Sequence, residues 1–253
     1  MTSIKDLRDE LRAMDSAYRQ GHAQVTDLEF DMKKAKLAAL APHAPELKVP
    51  GGGTHLLSLD NQMLEAWWMT LPQGTAVVVQ PKIDGCAIGL RYRNGVLEAA
   101  WTRNGRSAMT AVDLVPSVPK VLREESEGLT EVHGELYGVE RLTSQQRAAA
   151  ALRRTRPSGD GLLFSAYRLV NSLSSESCSQ VALGKMGFDT PDTIACTSLV
   201  DVRELHQRWL RGAIFEQWPT DGIVVKVFDQ RVQRKLGCNS VAPRWALAMK
   251  KYG

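Results

Sequence analysis

The chain has 253 residues, 43% hydrophobic and 24% charged, enough to bury one large core or two modest ones and too apolar to stay disordered throughout. Its formal net charge of +4 favours an anionic partner only weakly. The scattered Cys86, Cys178, Cys196 and Cys238 form no CxxC pair or Cys/His cluster, which argues against a structural zinc site and for a reduced intracellular protein.

The charged, amphipathic start is unlike a signal peptide, and no apolar run reaches the about 18 residues that suggest a membrane span, so a cytoplasmic protein with no membrane partner is expected. Ile4, Leu7, Leu11, Met14 and Tyr18 recur at helical spacing and predict a helix over residues 3–20, ended by Gly21. Thr26-Asp27-Leu28-Glu29 reads as a cap with an acidic first turn, opening a second helix to about Leu40. Pro42, Pro45, Pro50 and Gly51-Gly52-Gly53 then form a breaker-rich linker. The expected division is a small helical head, residues 1–50, and a larger body, residues 51–253.

The body changes character. Residues 75–80, 86–92 and 96–102 read as short strands, the last two joined by the hairpin signal Asn94-Gly95. Further strands are expected at 129–136, 162–168 and 222–228, and helices at 140–154, 176–186 and 201–217, the last with Leu205, Trp209 and Ile214 inward. Residues 172–179 read as a serine-rich loop, and no internal repeat is present. The order implies a mixed α+β body with mainly antiparallel strands.

Chemistry centres first on Lys82-Ile83-Asp84-Gly85, which places a lysine just past an apolar strand beside a carboxylate and a glycine. A lysine attacks phosphorus only when deprotonated, through a lowered pKa or a base that takes its proton. Asp84 would share Lys82's side if the strand continued. A surface salt bridge at a strand end is the plain alternative. Glu135, between Gly134 and Gly138, suits a ribose hydroxyl or a metal, or is an exposed strand carboxylate. Lys226 lies in the strongly apolar run Gly222 to Val227, where a phosphate contact competes with a strand-edge role. Lys250 and Lys251 close the run from Arg244, to meet phosphate or solvent.

These segments in this order resemble the nucleotidyltransferase core of the NAD+-dependent DNA ligases across about 200 residues. Lys82 to Gly85 matches the family's first motif, Thr102-Arg103-Asn104-Gly105 the basic turn after it, and Glu135 the third motif. Phe164-Ser165-Ala166-Tyr167, Asp221 to Val227, and Pro243 to Lys250 match the later motifs, and His55 to Asn61 an upstream stretch. The resemblance implies that Lys82 attacks the α-phosphorus of NAD+, expels nicotinamide mononucleotide and keeps AMP on its nitrogen. Asp84 would assist. Glu135 would hold the ribose, Tyr167 would stack on adenine, and Ser58 and Leu59 would lie along the adenylate. Lys226 and Lys250 would neutralise phosphate, and Arg103 would touch the nucleotide or its pyrophosphate. Mg2+ would accompany the phosphates, with no side chain assigned as a metal ligand.

Ala17-Tyr18, Asp27, Glu29, Phe30 and Asp31 resemble the nicotinamide-binding head of that family, which favours NAD+ over ATP. Tyr18, Asp27, Phe30 and Asp31 are the implied contacts, while Ala17 replaces a tyrosine and cannot stack. Gln80 stands where the family has glutamate; its oxygen can still accept from adenine's amino group. The region between Glu135 and Phe164 is shorter than in the family, with Arg153 as the retained cation. The sequence ends beyond the last motif. The expectation is therefore an adenylation module, truncated or split as a virus could encode, that needs a second subunit or further C-terminal domains to reach nicked duplex DNA. An ATP-using nucleotidyltransferase and a non-catalytic adenylate-binding or DNA-repair scaffold stay open as alternatives.

Overall fold

The computed structural model describes residues 3–19, 29, 32–33, 36–37, 40–41, 44, 56, 59, 63–124, 126–153, 157–170, 175–238 and 242–251. The first helix, α1 (Ile4–Arg19), starts where predicted because Ser3 and Asp6 cap each other reciprocally, at 3.0 and 3.1 Å. Glu29, Met32, Lys33, Lys36, Leu37 and Leu40 are helical too. Leu7 and Leu11 pack with Leu37 and Ala44 into a small core of their own. Tyr18's side chain, the cap at 26–28 and most of the linker lie outside the described residues.

The body begins with α2 (Leu64–Trp68), which composition did not reveal. Its Trp67 is buried and donates from Nε1 to the Arg244 carbonyl at 2.9 Å, tying two distant segments together. Eight strands follow among the described residues: β1 (Val77–Ile83), β2 (Cys86–Arg93), β3 (Val96–Thr102), β4 (Leu129–Gly138), β5 (Leu162–Leu169), β6 (Ile194–Cys196), β7 (Thr220–Val227) and β8 (Ala246–Lys250). They build two four-stranded antiparallel sheets, ordered β6-β1-β7-β8 and β3-β2-β4-β5. This is the expected helical head and mainly antiparallel α+β core.

The body's other helices are α3 (Met109–Val112), α4 (Ser144–Arg153), α5 (Glu176–Met186), α6 (Leu199–Leu210) and α7 (Gln230–Leu236). One face of the β3-β2-β4-β5 sheet, with Ile88, Leu90, Val132, Leu136 and Phe164, packs on α3, α4 and α5. The outer face of the other sheet, with Val77, Val79, Val225, Val227 and Leu247, packs on α2 and α6. Each large core removes apolar surface worth about 25 cal/mol per Å². The remaining faces of the two sheets line a shared cleft.

Several predicted boundaries are corrected. The strand expected at 75–80 runs on to Ile83, so Lys82 lies inside it. Pro81 is tolerated because β6 pairs only with Val77 to Val79, leaving the prolyl nitrogen without a neighbouring strand. The helix expected at 201–217 stops at Leu210, where Gly212 turns left-handed (φ 70°) and Ala213 N–H bonds back to the Arg208 carbonyl at 2.9 Å. The end of the expected serine-rich loop is helix instead: Ser175 caps α5 through a 3.2 Å bond from Cys178 N–H, and residues 176–179 are helical. The helix expected at 140–154 divides into a 3-10 turn, Arg141–Thr143, and α4. The hairpin at Asn94-Gly95 forms as predicted, with both residues at positive φ, 49° and 77°. No described helix is long and apolar enough to cross a membrane.

Candidate active site

A cavity of about 610 Å³ lies between the two sheets. From the first sheet its lining takes Gln80, Lys82, Val224, Lys226, Ala246 and Lys250. Register explains the set. Lys82 pairs with Gly222 and Gly222 with Lys250; Gln80 pairs with Val224; Val78 pairs with Lys226 and Lys226 with Ala246. Directly opposed residues share a face, so these rungs present their side chains together. Gly222 is required between the two lysines, because a Cβ there would sit 2.4 Å from the Met249 carbonyl oxygen.

Two β-bulges add side chains that strict alternation would not. The β1–β7 register jumps from Lys82↔Gly222 to Ile83↔Thr220, leaving Asp221 as the extra residue. The β4–β5 register jumps from His133↔Arg168 to Gly134↔Ala166, leaving Tyr167 extra, and both Tyr167 and Arg168 reach the cavity. Bulges re-aim side chains in this way beside functional sites.

Asp221 organises one end. Its Oδ1 accepts from Lys82 Nζ at 2.8 Å, and its Oδ2 lies 2.9 Å from Lys250 Nζ. Burial works to raise the Asp221 carboxyl, but the charges and hydrogen bonds of both lysines outweigh it and hold the group below the ordinary carboxylate range. The pair therefore keeps an ionised carboxylate in direct contact with the Lys82 nitrogen.

Asp84 falls in the turn after β1 rather than on the cavity lining. Its backbone is clamped, N–H to the Pro219 carbonyl at 2.7 Å and carbonyl to the Ser144 hydroxyl at 2.6 Å. Burial, then the negative charge of Asp221, raise its carboxyl, opposed by Lys82 and Lys250.

Glu135 lines the cavity from β4. It is half-buried among protein groups, and burial pushes its carboxyl up to about 7 against the pull of Arg103 and Lys82. Arg103 projects from the turn after β3, closed by Gly105 N–H to the Thr102 carbonyl at 2.8 Å, and it also lines the cavity.

The far end is drier. Lys226 is 5% exposed, donates to the Tyr167 carbonyl at 3.0 Å and meets Glu176 Oε2 at 3.4 Å. Its Nζ lies 5.7 Å from the Tyr167 ring centroid. Gln80, also buried, donates from Nε2 to the Thr193 hydroxyl at 2.8 Å. His133 joins the lining and bonds Glu131 at 2.9 Å, and Arg168 stacks 4.4 Å over the Trp245 ring.

Among the residues predicted from sequence, Leu59, Gln80, Lys82, Arg103, Glu135, Tyr167, Lys226 and Lys250 thus line one cavity. Asp27, Phe30, Asp31, Ser58 and the Tyr18 side chain lie outside the described residues. Arg153 is exposed at the end of α4, away from the lining. Sequence reasoning missed Asp221 as an individual contact and missed Glu176, Arg168 and Trp245. Asp221 left a trace as the acidic residue before the Gly222 strand, and Trp245 as part of the Pro243 to Lys250 stretch. Among the described residues no three His, Cys, Asp or Glu side chains form a metal cage.

A family profile described as the NAD-dependent DNA ligase adenylation domain matches residues 53–142 and 142–252, a span that holds every lining residue. The chain belongs to this family. It is 28% identical over 299 aligned residues to a DNA ligase of Corynebacterium aurimucosum, covering 97% of this chain and 44% of that one. It is 30% identical over 304 to a DNA ligase of Alkalilimnicola ehrlichii, covering 98% and 45%. The chain therefore spans less than half the length of these curated relatives. A solved structure from a study of Lig E DNA ligases shares the fold at TM-score 0.50 and 16% identity, over 79% of this chain and 69% of that one. The family's adenylation core thus accounts for the two-sheet cleft.

Proposed function

We propose that this chain carries out NAD+-dependent adenylation of Lys82, the first step of DNA nick sealing. The observation that carries the reading is the Asp221 carboxylate held between Lys82 and Lys250 at the mouth of a cavity lined by Glu135, Arg103, Tyr167 and Lys226. Asp221 takes the proton from Lys82. The freed lone pair forms a bond to the α-phosphorus as the bond to the nicotinamide mononucleotide oxygen breaks. Lys250 and Arg103 stand where they can meet the growing negative charge, and such donors count most when already oriented.

Glu135 suits the ribose hydroxyls, and Tyr167 offers a ring for the base. Gln80, with its nitrogen committed to Thr193, has its oxygen left for an exocyclic amine. Mg2+ fits as a passenger on the substrate phosphates, since it keeps most of its waters and needs only one or two carboxylates. When bound it would neutralise phosphate charge, with Asp84 and Glu135 as the nearby acidic groups. The head, residues 1–50, is proposed to hold the nicotinamide half through Tyr18, Asp27, Phe30 and Asp31, and residues 51–253 to form the adenylating domain. AMP would then pass to a DNA 5′-phosphate when further domains or a second subunit engage the nick.

The test incubates the purified chain with adenine-labelled NAD+ or ATP and Mg2+. Label on Lys82 from NAD+ supports the reading; label from ATP alone would move the chain to the ATP-using class; no label from either on folded protein would leave a binding scaffold.

A further inference from the structure

Glu176 has no role in the chemistry above, yet it lines the cavity at 2% exposure. Its placement is built from three directions. Ser175 caps α5, so the Glu176 carboxylate sits in the first turn of an 11-residue helix, where the positive end of the backbone dipole favours negative charge. Its own N–H donates to the Phe228 carbonyl at 2.9 Å, locking the helix start against the end of β7. Gln233 of α7 donates to Glu176 Oε1 at 2.6 Å and to the Val227 carbonyl at 2.7 Å, and Gln230 beside it donates to Ser179 at 2.9 Å.

The one cation in hydrogen-bond reach of this carboxylate among the described residues is Lys226, at 3.4 Å, itself 5% exposed. Two of the three Lys226 donors are thereby directed, one to Glu176 and one to the Tyr167 carbonyl at 3.0 Å. The third is left for the cavity. Gln80, on the neighbouring rung, is neutral and bonded to Thr193, so it supplies no counter-charge.

We propose that Glu176 is the positioning residue of this site: it pairs with the buried Lys226 ammonium and aims its free N–H at the bound nucleotide. The inference rests on the adenylation reading for its consequence, though not for its geometry. The groups facing Lys226 are Glu176 from α5 and Tyr167 and Arg168 from β5, with Cys238 and Arg234 on the lining beyond. Burial lowers the Lys226 ammonium pKa, Glu176 raises it, and Arg168 lowers it further. Removing the Glu176 charge removes the one neighbour that opposes burial and Arg168, and an unpaired buried lysine sheds its proton.

The experiment compares wild type, Glu176→Gln and Glu176→Asp in two assays. The first follows the Lys226 side-chain carbon signal by NMR as pH rises, in the unliganded full chain. The second measures single-turnover adenylation across the same pH range with NAD+ and Mg2+. For Glu176→Gln, Lys226 is expected to titrate about one pH unit or more below wild type, and the alkaline fall of the rate moves with it. Glu176→Asp, retaining the carboxylate, is expected to titrate closer to wild type than Glu176→Gln does. Adding Glu176→Gln to a Lys226→Met background should cost little further rate, since the two act as a unit. Wild-type titration of Lys226 in Glu176→Gln overturns the proposal whatever the rate does. Should Glu176→Gln fail to fold, Glu176→Asp decides by whether it follows wild type. A wild-type chain that never adenylates defeats the functional reading, while the NMR titration still tests the role of Glu176.

Discussion

At one end of the cavity Lys82 and Lys250 share the two oxygens of Asp221, with side chains 23% and 41% exposed. At the other, Lys226 is nearly sealed and meets Glu176 against buried glutamines. The two lysine–carboxylate arrangements differ in what water can do for them. Near the mouth, both lysines stay within reach of water while they share the carboxylate. In the dry wall, charge is held because neither partner has an alternative. One residue type thus forms a solvated pair at the mouth and a sealed one at depth, and burial makes the difference.

The largest test of that contrast is Lys82→Ala, expected to abolish transfer, with no AMP-sized mass gain on the intact protein. Persistent adenylation in the variant would mean that Lys250 or another lysine is the acceptor. Asp221→Asn keeps the shape and removes the charge, so the adenylation rate is expected to fall about 100-fold. A rate within a few-fold of wild type would show that Lys82 gives its proton to something else, and rapid-quench measurement of the adenylated chain decides.

Glu135 gives a pH signature. Its carboxyl has an ordinary value of 4.5 and is pushed up to about 7 in the fold. Between those values the unfolded chain has released the proton and the folded chain has kept it. Stability therefore falls as pH rises through that window and levels off above it, by on the order of 2–3 kcal/mol for this group. Urea unfolding of wild type and Glu135→Gln at pH 5 and 7.5 should show this slope weakened in the variant; equal slopes would disprove the shift.

The smallest expected effect lies at the junction of the sheets. Ser144 is 1% exposed, donates to the Asp84 carbonyl at 2.6 Å and accepts from Gly138 N–H at 3.1 Å. Ser144→Ala orphans both groups and should cost about 1–2 kcal/mol. A thermal melt unchanged from wild type would show that water or a shift of α4 replaces both bonds.

Much of this was open to sequence reasoning. Lys82, Glu135, Lys226 and Lys250 each sit in or beside an apolar run, where a charged residue stands out against the burial pattern. The Asn94-Gly95 hairpin, α5 and the three strands from 75 to 102 follow local chemistry, and their limits come within a few residues of expectation. β8 was hidden because its cavity face carries Ala246 and Ala248, which blur the alternation of Leu247 and Met249. α2 and β6 are too short for periodicity to register. Gly212 stops α6 although the apolar spacing continues beyond it to Ile214.

What the sequence determined by itself is the set of side chains and their order: apolar runs that form strands, turns where glycine permits them, and ionisable groups set among them. Local propensity and the residue identities carry that information. Only tertiary structure decided which charges meet. Tyr167 reaches the cavity and Asp221 reaches the lining lysines Lys82 and Lys250 through bulges, and a bulge exists only when two strands pair out of step. Glu176 meets Lys226 across 50 residues because α5 docks its capped first turn on the end of β7. Such contacts depend on register and docking, and no single segment encodes either.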